Sequence, residues 1–106
     1  MVVKEAIAVA RYIEATGHLP VYYVTKHVAQ QAGWAGGSVE KIISGKKIGG
    51  DKYYNRNCLL PAGIYYECDI GSTLKSRGPC RLVYSIGGRY YLTKNHYRTF
   101  TEIKLN

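Results

Sequence analysis

The sequence predicts an α+β fold, with N-terminal helices packed on a C-terminal antiparallel sheet of about five strands. Two observations carry this. Apolar residues recur at helical spacing near the N-terminus and alternate at strand spacing in the second half, where Gly-containing turns separate short runs. From Val3 to Ala15 the apolar residues Val3, Ile7, Ala10 and Ile13 fall three and four apart, on one helix face. Gly17 stands where a helix commonly stops, and Leu19-Pro20 prevents its continuation. A second helix is expected to start at Thr25, whose hydroxyl can cap free amides, and to run through Val28, Ala29 and Ala32 to Gly33. Ser38 can cap a short helix from Val39 to Ile43. Gly45, Gly49 and Gly50 mark a loop carrying Lys46 and Lys47, which is either solvated or in contact with a polyanion.

Strand signals begin at Lys52. Alternation along Ile64–Ile70 puts Ile64, Tyr66, Cys68 and Ile70 on one face, and Tyr65, Glu67 and Asp69 on the other. Residues 80–85 and 89–93 are joined through Ile86-Gly87-Gly88, a hairpin turn. A last strand is expected from about Tyr97 to Ile103. There is no repeat, low-complexity tract or linker, so residues 1–106 are expected to form one domain.

Composition narrows the classes. At 46% apolar and 21% charged, the chain is globular in type, not disordered. No apolar run reaches the roughly 20 residues of a transmembrane helix. Met1 to Ile13 mixes Lys4, Glu5 and Arg11 among apolar residues, unlike a signal peptide. The chain is thus expected to be either cytoplasmic or the mature part of an exported protein. Fifteen Lys and Arg against seven Asp and Glu give a net charge of +8, which fits a polyanionic partner or a generically soluble basic surface. Cys58, Cys68 and Cys80 lack the paired CxxC spacing of a zinc site, and three thiols cannot replace a core. Cys68 and Cys80 are read as buried apolar residues, or as a disulfide in an extracellular protein.

One set of side chains could carry chemistry. If the strand from Ile64 pairs with the strand from Cys80, Glu67, Asp69 and Arg81 share an exposed sheet face. Arg77 lies in the loop between them, and His96 and Tyr97 lie just before the last strand. A carboxylate can take a ribose 2′-OH proton, a protonated His can supply one to the departing 5′ oxygen, and arginines can stabilise phosphoryl charge. A plain ion-pair lattice on a solvated sheet explains the same spacing. Tyr65, on the same face, is either a base-stacking platform or strand packing. Trp34 is read as core, and His18 and His27 as ordinary surface residues.

The motifs Lys47-Ile48-Gly49-Gly50-Asp51, Tyr54-Asn55-Arg56, Leu60-Pro61, Tyr66-Glu67-Cys68-Asp69-Ile70, Arg81-Leu82-Val83-Tyr84-Ser85 and His96-Tyr97-Arg98-Thr99-Phe100-Thr101 resemble those of the barnase-like bacterial ribonucleases. So do Leu19-Pro20, Tyr23-Val24-Thr25-Lys26 and the segment from Ala29-Gln30 to Trp34, in the same order. The resemblance spans nearly the whole chain. It implies the microbial ribonuclease fold and a metal-independent endoribonuclease with no cofactor. The implied reaction on single-stranded RNA leaves a 2′,3′-cyclic phosphate, which is then hydrolysed more slowly.

By the same resemblance, Glu67 is the general base and His96 the general acid. Arg77 and Arg81 bind phosphate, assisted by Lys26, and Asp51 supports these cations; Asp69 is read from its own position as structural, pairing with Arg77 or Arg81 and orienting them. Tyr97 lies beside the histidine, and Tyr53, Tyr54, Asn55 and Arg56 form the loop that receives the base. Asn57 stands where the family has a Glu that accepts two bonds from guanine, so guanine preference is expected to be weakened or altered. The segment from Pro61 to Glu67 is also shorter than in the family. The expected setting is a secreted nuclease, or a toxin domain delivered into a target-cell cytoplasm. The protein is expected to be a monomer without membrane contact, held in check by an acidic inhibitor covering Arg56, Arg77, Arg81 and His96. The alternative is a basic RNA-binding module with an inactive site.

Overall fold

In the computed structural model, which describes residues 2–105, the chain opens with helix α1 (Val2–Thr16), strand β1 (Tyr23–Val24) and helix α2 (Lys26–Gln31). A 3₁₀ turn (Val39–Lys41) then leads to β2 (Lys47–Tyr53), β3 (Tyr65–Asp69), β4 (Arg81–Ser85), β5 (Tyr90–Thr93) and β6 (Thr101–Ile103). The six strands form one sheet in chain order. β1 runs parallel to β2 and every other neighbouring pair is antiparallel. The α+β architecture expected from the sequence is therefore the one observed, with one strand more than the expected five.

The differences have local causes. β1 has only two residues, too few to show alternation. β2 hides behind its glycines. A Cβ at Gly49 would lie 2.5 Å from Tyr23 Cδ1 and 2.7 Å from Cys68 Cβ, so Gly49 lets neighbouring strands close up. Gly50, at φ +100°, sits where the β2–β3 register shifts, in the manner of a bulge. What reads as a loop over residues 45–50 is thus largely strand. Lys46 Nζ donates to the Val21 carbonyl at 3.4 Å, and Lys47 Nζ donates to that of Ser72 at 3.4 Å and pairs with Glu5 at 3.5 Å.

Thr25 caps α2 as expected, its hydroxyl accepting from Val28 N at 3.4 Å, but the helix ends at Gln31. Ser38 caps the 3₁₀ turn, which also ends early. The last strand begins only at Thr101, because residues 94–100 are used in the site loop described below.

Helix α1 packs on β4 and β5. Its buried stripe is Ala6, Val9, Ala10 and Ile13, whereas Val3 is 39% exposed. The helix is rotated from the expected phase because the small side chains of Ala6 and Ala10 allow the closest approach to the sheet. This stripe meets Cys68, Ile70, Leu82, Tyr90 and Leu92 in the main core. Ile64, expected on that face, precedes β3 and is exposed. A second cluster joins Ala29, Trp34, Val39 and Ile48, so Trp34 is a core residue.

Burial holds the phenols of Tyr23, Tyr84 and Tyr97 well above the usual tyrosine range, and it likewise raises the Cys68 thiol. In the unfolded chain these groups titrate near their ordinary values, about 10 for tyrosine and about 8.5 for cysteine. As pH rises through that range the unfolded chain loses protons that the native protein keeps. The unfolded state then binds fewer protons, and stability falls with pH. The stabilisation is whole below the unfolded values and is lost as pH climbs towards the folded ones. Urea midpoints are expected to fall steadily between about pH 9 and 11; a midpoint that stays flat there would contradict this burial.

Candidate active site

The β3–β4 register places Asp69 opposite Arg81 and Glu67 opposite Val83, and β2 brings Asp51 opposite Glu67. Strand alternation therefore puts Glu67, Asp69, Arg81 and Val83 on the sheet face away from α1. That face is not the open surface the sequence suggests. The segments on either side of it fold over, and Tyr65, Asp69, Arg81, Val83 and Thr93 are all buried. Leu60, Tyr65, Val83 and Tyr91 form a third apolar cluster, flanked by Tyr53, Tyr97 and Phe100. Tyr65 donates its hydroxyl to the Pro61 carbonyl at 2.8 Å and packs edge-on against Tyr91. At 1% exposure it is packing, and no base can stack on it.

Asp69 is the hub. Arg77 Nε donates to its Oδ2 at 2.8 Å and Arg77 Nη2 to its Oδ1 at 2.9 Å, a two-point fork. Arg81 Nε lies 3.1 Å from Oδ1, an ion pair without the alignment of a hydrogen bond. Arg81 is aimed instead by Nη1, which donates to the Gly78 and Cys80 carbonyls at 2.8 Å each. Asp69 itself is tied down by Tyr23, whose hydroxyl donates to its backbone carbonyl at 2.7 Å. One buried carboxylate thus gathers two guanidinium groups, leaving a local excess of one positive charge. The fork to Asp69 holds the Arg77 guanidinium above even its usual range, so it stays charged. Arg77 Nη1 has no hydrogen-bond partner among the described residues.

Glu67 is bound to this array through Tyr97, whose hydroxyl donates to Glu67 Oε1. Burial and the neighbouring carboxylate keep the Tyr97 proton in place, with Arg81 pulling the other way. The Tyr97 ring stacks on Tyr53 with centroids 5.3 Å apart, and His96 meets it edge-on at 4.7 Å. A single phenol therefore touches the carboxylate with its tip and the imidazole with its ring.

His96 and Tyr97 have φ of +56° and +74°, left-handed values that bulky residues avoid unless their surroundings hold them there. The restraints are explicit. His96 N donates to the Pro79 carbonyl at 3.1 Å, and Tyr97 N donates to Thr93 Oγ1 at 2.9 Å. Asn95 Oδ1 accepts from Thr99 N at 3.0 Å and from Thr93 Oγ1 at 3.1 Å, while its Nδ2 donates to Thr99 Oγ1 at 2.8 Å. This Thr93–Asn95–Thr99 clamp goes unnoticed in sequence reading. Its signal is three side chains prone to local backbone bonding, set around the histidine.

The remaining candidates lie around this centre. Lys26 opens α2, and its backbone N–H donates to Asp51 Oδ2 at 3.0 Å. Asp51 is thus engaged by a helix start, and the Lys26 side chain makes no ion pair among the described residues. Asn55 is a loop clamp: its Nδ2 donates to the Leu60 carbonyl at 2.7 Å, and its Oδ1 accepts from Leu60 N at 3.2 Å. Tyr54 is exposed beneath two cations, Lys52 and Arg56, each 5.4 Å from its ring centroid. Arg56 therefore stands outside the Asp69 cluster. Asn57 is exposed beside Cys58, which takes φ +55°. The same loop lines a cleft of about 390 Å³ with Asn55, Cys58 and Leu60. His18 and His27 are exposed. All three cysteines are free thiols, with Cys68 buried and Cys58 exposed.

An α+β chain whose sheet face bears this carboxylate–guanidinium–tyrosine–histidine group can be compared with known proteins. A family model described as ribonuclease matches residues 6–104. Ribonucleases from Bacillus intermedius and Bacillus pumilus are each 39% identical over 101 residues, covering 91% of this chain and 62% of theirs. A ribonuclease from Heyndrickxia coagulans is 38% identical over 101 residues, covering 91% of this chain and 93% of its own. The chain therefore belongs to the ribonuclease family, the one its motifs resemble. It spans about three fifths of the length of the two Bacillus relatives.

Proposed function

We propose that residues 1–106 form a single ribonuclease domain that cuts single-stranded RNA by side-chain acid–base catalysis, without a metal ion. The observation that carries this reading is the Asp69-gathered pair Arg77 and Arg81, set beside the Glu67–Tyr97–His96 chain on one sheet face. Glu67 removes the proton of the ribose 2′-OH, and the 2′ oxygen attacks phosphorus. The bond to the 5′ oxygen breaks as His96 delivers a proton to it, leaving a 2′,3′-cyclic phosphate and a free 5′-OH. Water then opens the cycle, with the two residues exchanging roles. Arg77 and Arg81, with Lys26, stabilise the charge that builds on the phosphoryl oxygens. The 53–57 loop receives the base, and Asn57 offers it a neutral amide in place of a carboxylate.

The reaction is tested on an oligoribonucleotide carrying a single 2′-deoxy sugar. The cyclic phosphate is expected to appear before the 3′-phosphate, with no cut after the deoxy position. Cleavage there would exclude attack by the 2′ oxygen.

Tyr97 holds one Glu67 oxygen and leaves the other for the ribose. Tyr97→Phe keeps both ring contacts but removes the donor. Loss of a hydrogen bond to a charged group, worth about 1.5–3 kcal/mol, is expected to lower kcat by about 10-fold or more while the variant remains folded. An unaltered kcat would show that the Glu67–Tyr97 bond is structural only.

The setting we propose is a secreted enzyme, with delivery as a toxin domain the other route. A nuclease of this kind endangers its maker, so we propose an acidic inhibitor that covers Arg56, Arg77, Arg81 and His96 and whose association slows as salt rises.

A further inference from the structure

Arg77 poses a positioning problem. It lies between β3 and β4 in the irregular stretch 70–80. Within that stretch Ile70 N donates to the Cys80 carbonyl at 3.1 Å, Thr73 N to the Ser76 carbonyl at 2.7 Å and Gly78 N to Ser76 Oγ at 3.0 Å. None of them touches the guanidinium. The Asp69 fork fixes one edge of the guanidinium, but a fork at one edge leaves the plane free to tilt about that edge. A second surface is needed. Trp34 supplies one, with Arg77 Cζ 5.6 Å from its ring centroid, inside the range of a cation over an aromatic face.

Trp34 is itself immobilised. Its indole N–H donates to the Gly37 carbonyl at 2.9 Å, and its backbone N–H donates to the Ala29 carbonyl at 3.0 Å. Ala29, Val39 and Ile48 pack with it, and it is 7% exposed. The aromatic face is therefore a fixed wall belonging to the helical part of the molecule, against which an arginine from the sheet part rests.

We propose that Trp34 is a positioning residue for Arg77, its indole face and the Asp69 fork together setting the guanidinium so that Nη1 is held ready for a phosphate oxygen. The proposal rests on the reading of Arg77 as a phosphate ligand. Trp34 is the chain's single tryptophan, so its emission reports on this contact directly, whether or not RNA is cut.

Two measurements test it. In the first, inorganic phosphate is titrated into the wild type and into Arg77→Lys, which keeps the charge but loses the planar stack. The proposal predicts a different Trp34 emission in the two free proteins and a phosphate-dependent change in the wild type alone. In the second, kcat and KM on RNA are measured for Trp34→Leu, Trp34→Phe and Arg77→Lys and for Trp34→Leu combined with Arg77→Lys. Trp34→Leu is expected to lower kcat by about 5- to 30-fold. Trp34→Phe, with an aromatic face, is expected to recover most of that loss. In the Arg77→Lys background Trp34→Leu is expected to have almost no further effect. Emission identical in wild type and Arg77→Lys, with and without phosphate, overturns the proposal. An equal loss from Trp34→Leu in both backgrounds does so too, because it marks a general packing effect. A wild type that leaves RNA uncut overturns the proposed reaction, while the emission experiment still decides the contact.

Discussion

Asp69→Ala is expected to destabilise the protein by about 3 kcal/mol or more, because it leaves a buried arginine without its counter-charge. Asp69 is 1% exposed and Arg81 4%, so little water can take over the missing carboxylate's part. Arg77, more exposed than Arg81, has the easier escape into solvent. For a domain of this size the melting temperature should fall by more than about 10 °C. The loss is that of an uncompensated charge more than of a favourable bond. Asp69→Leu combined with Arg81→Met is therefore expected to regain part of the stability while remaining inactive. A loss under about 1 kcal/mol on urea unfolding of Asp69→Ala would show that Asp69 is not the hub of the array.

Glu67→Gln and His96→Ala are expected to lower kcat on RNA by about 10²- to 10⁴-fold each. They act on one proton path, so the double variant should lose much less than the product of the two factors. Wild-type kcat/KM should follow a bell-shaped pH profile, since one residue must be deprotonated and the other protonated. Glu67→Gln is expected to flatten the acidic limb and His96→Ala the alkaline limb. Neither substitution removes an ion pair found among the described residues, so folding is expected to survive both.

Much of this arrangement was legible before the structure, for physical reasons that differ by residue. Strict alternation from Tyr65 to Asp69 fixes the face of Glu67 and Asp69 once any core residue on the strand is known. The Ile86-Gly87-Gly88 turn fixes the pairing of β4 with β5, and Ser85 N duly donates to the Arg89 carbonyl at 2.9 Å. β2 escapes because its glycines, which read as loop, are there to let Tyr23 and Cys68 come close, a tertiary requirement. The phase of α1 escapes because two overlapping apolar stripes share Ala10 and Ile13, and only the sheet decides between them.

The site divides in the same way. Pairing of Asp69 with either Arg77 or Arg81 follows from strand register and loop proximity, and both pairs form. The positions of His96 and Trp34 follow from no local rule. His96 is held by a clamp of Thr93, Asn95 and Thr99 that spans a turn. Trp34 reaches Arg77 across 43 residues of chain, a contact that periodicity does not encode. The roles of Lys26 and Asn57 rest on family motifs alone, whereas that of His96 also follows from its chemistry and is examined by the variants above.

The most direct test of the central claim is cleavage of single-stranded RNA in the presence of EDTA by the wild type, Glu67→Ala and His96→Ala, with circular dichroism confirming that all three are folded. Catalysis by side chains alone predicts undiminished wild-type cleavage under chelation and its loss in both variants. A folded wild type that binds RNA without cutting it, or variants that cut as fast as the wild type, would contradict it.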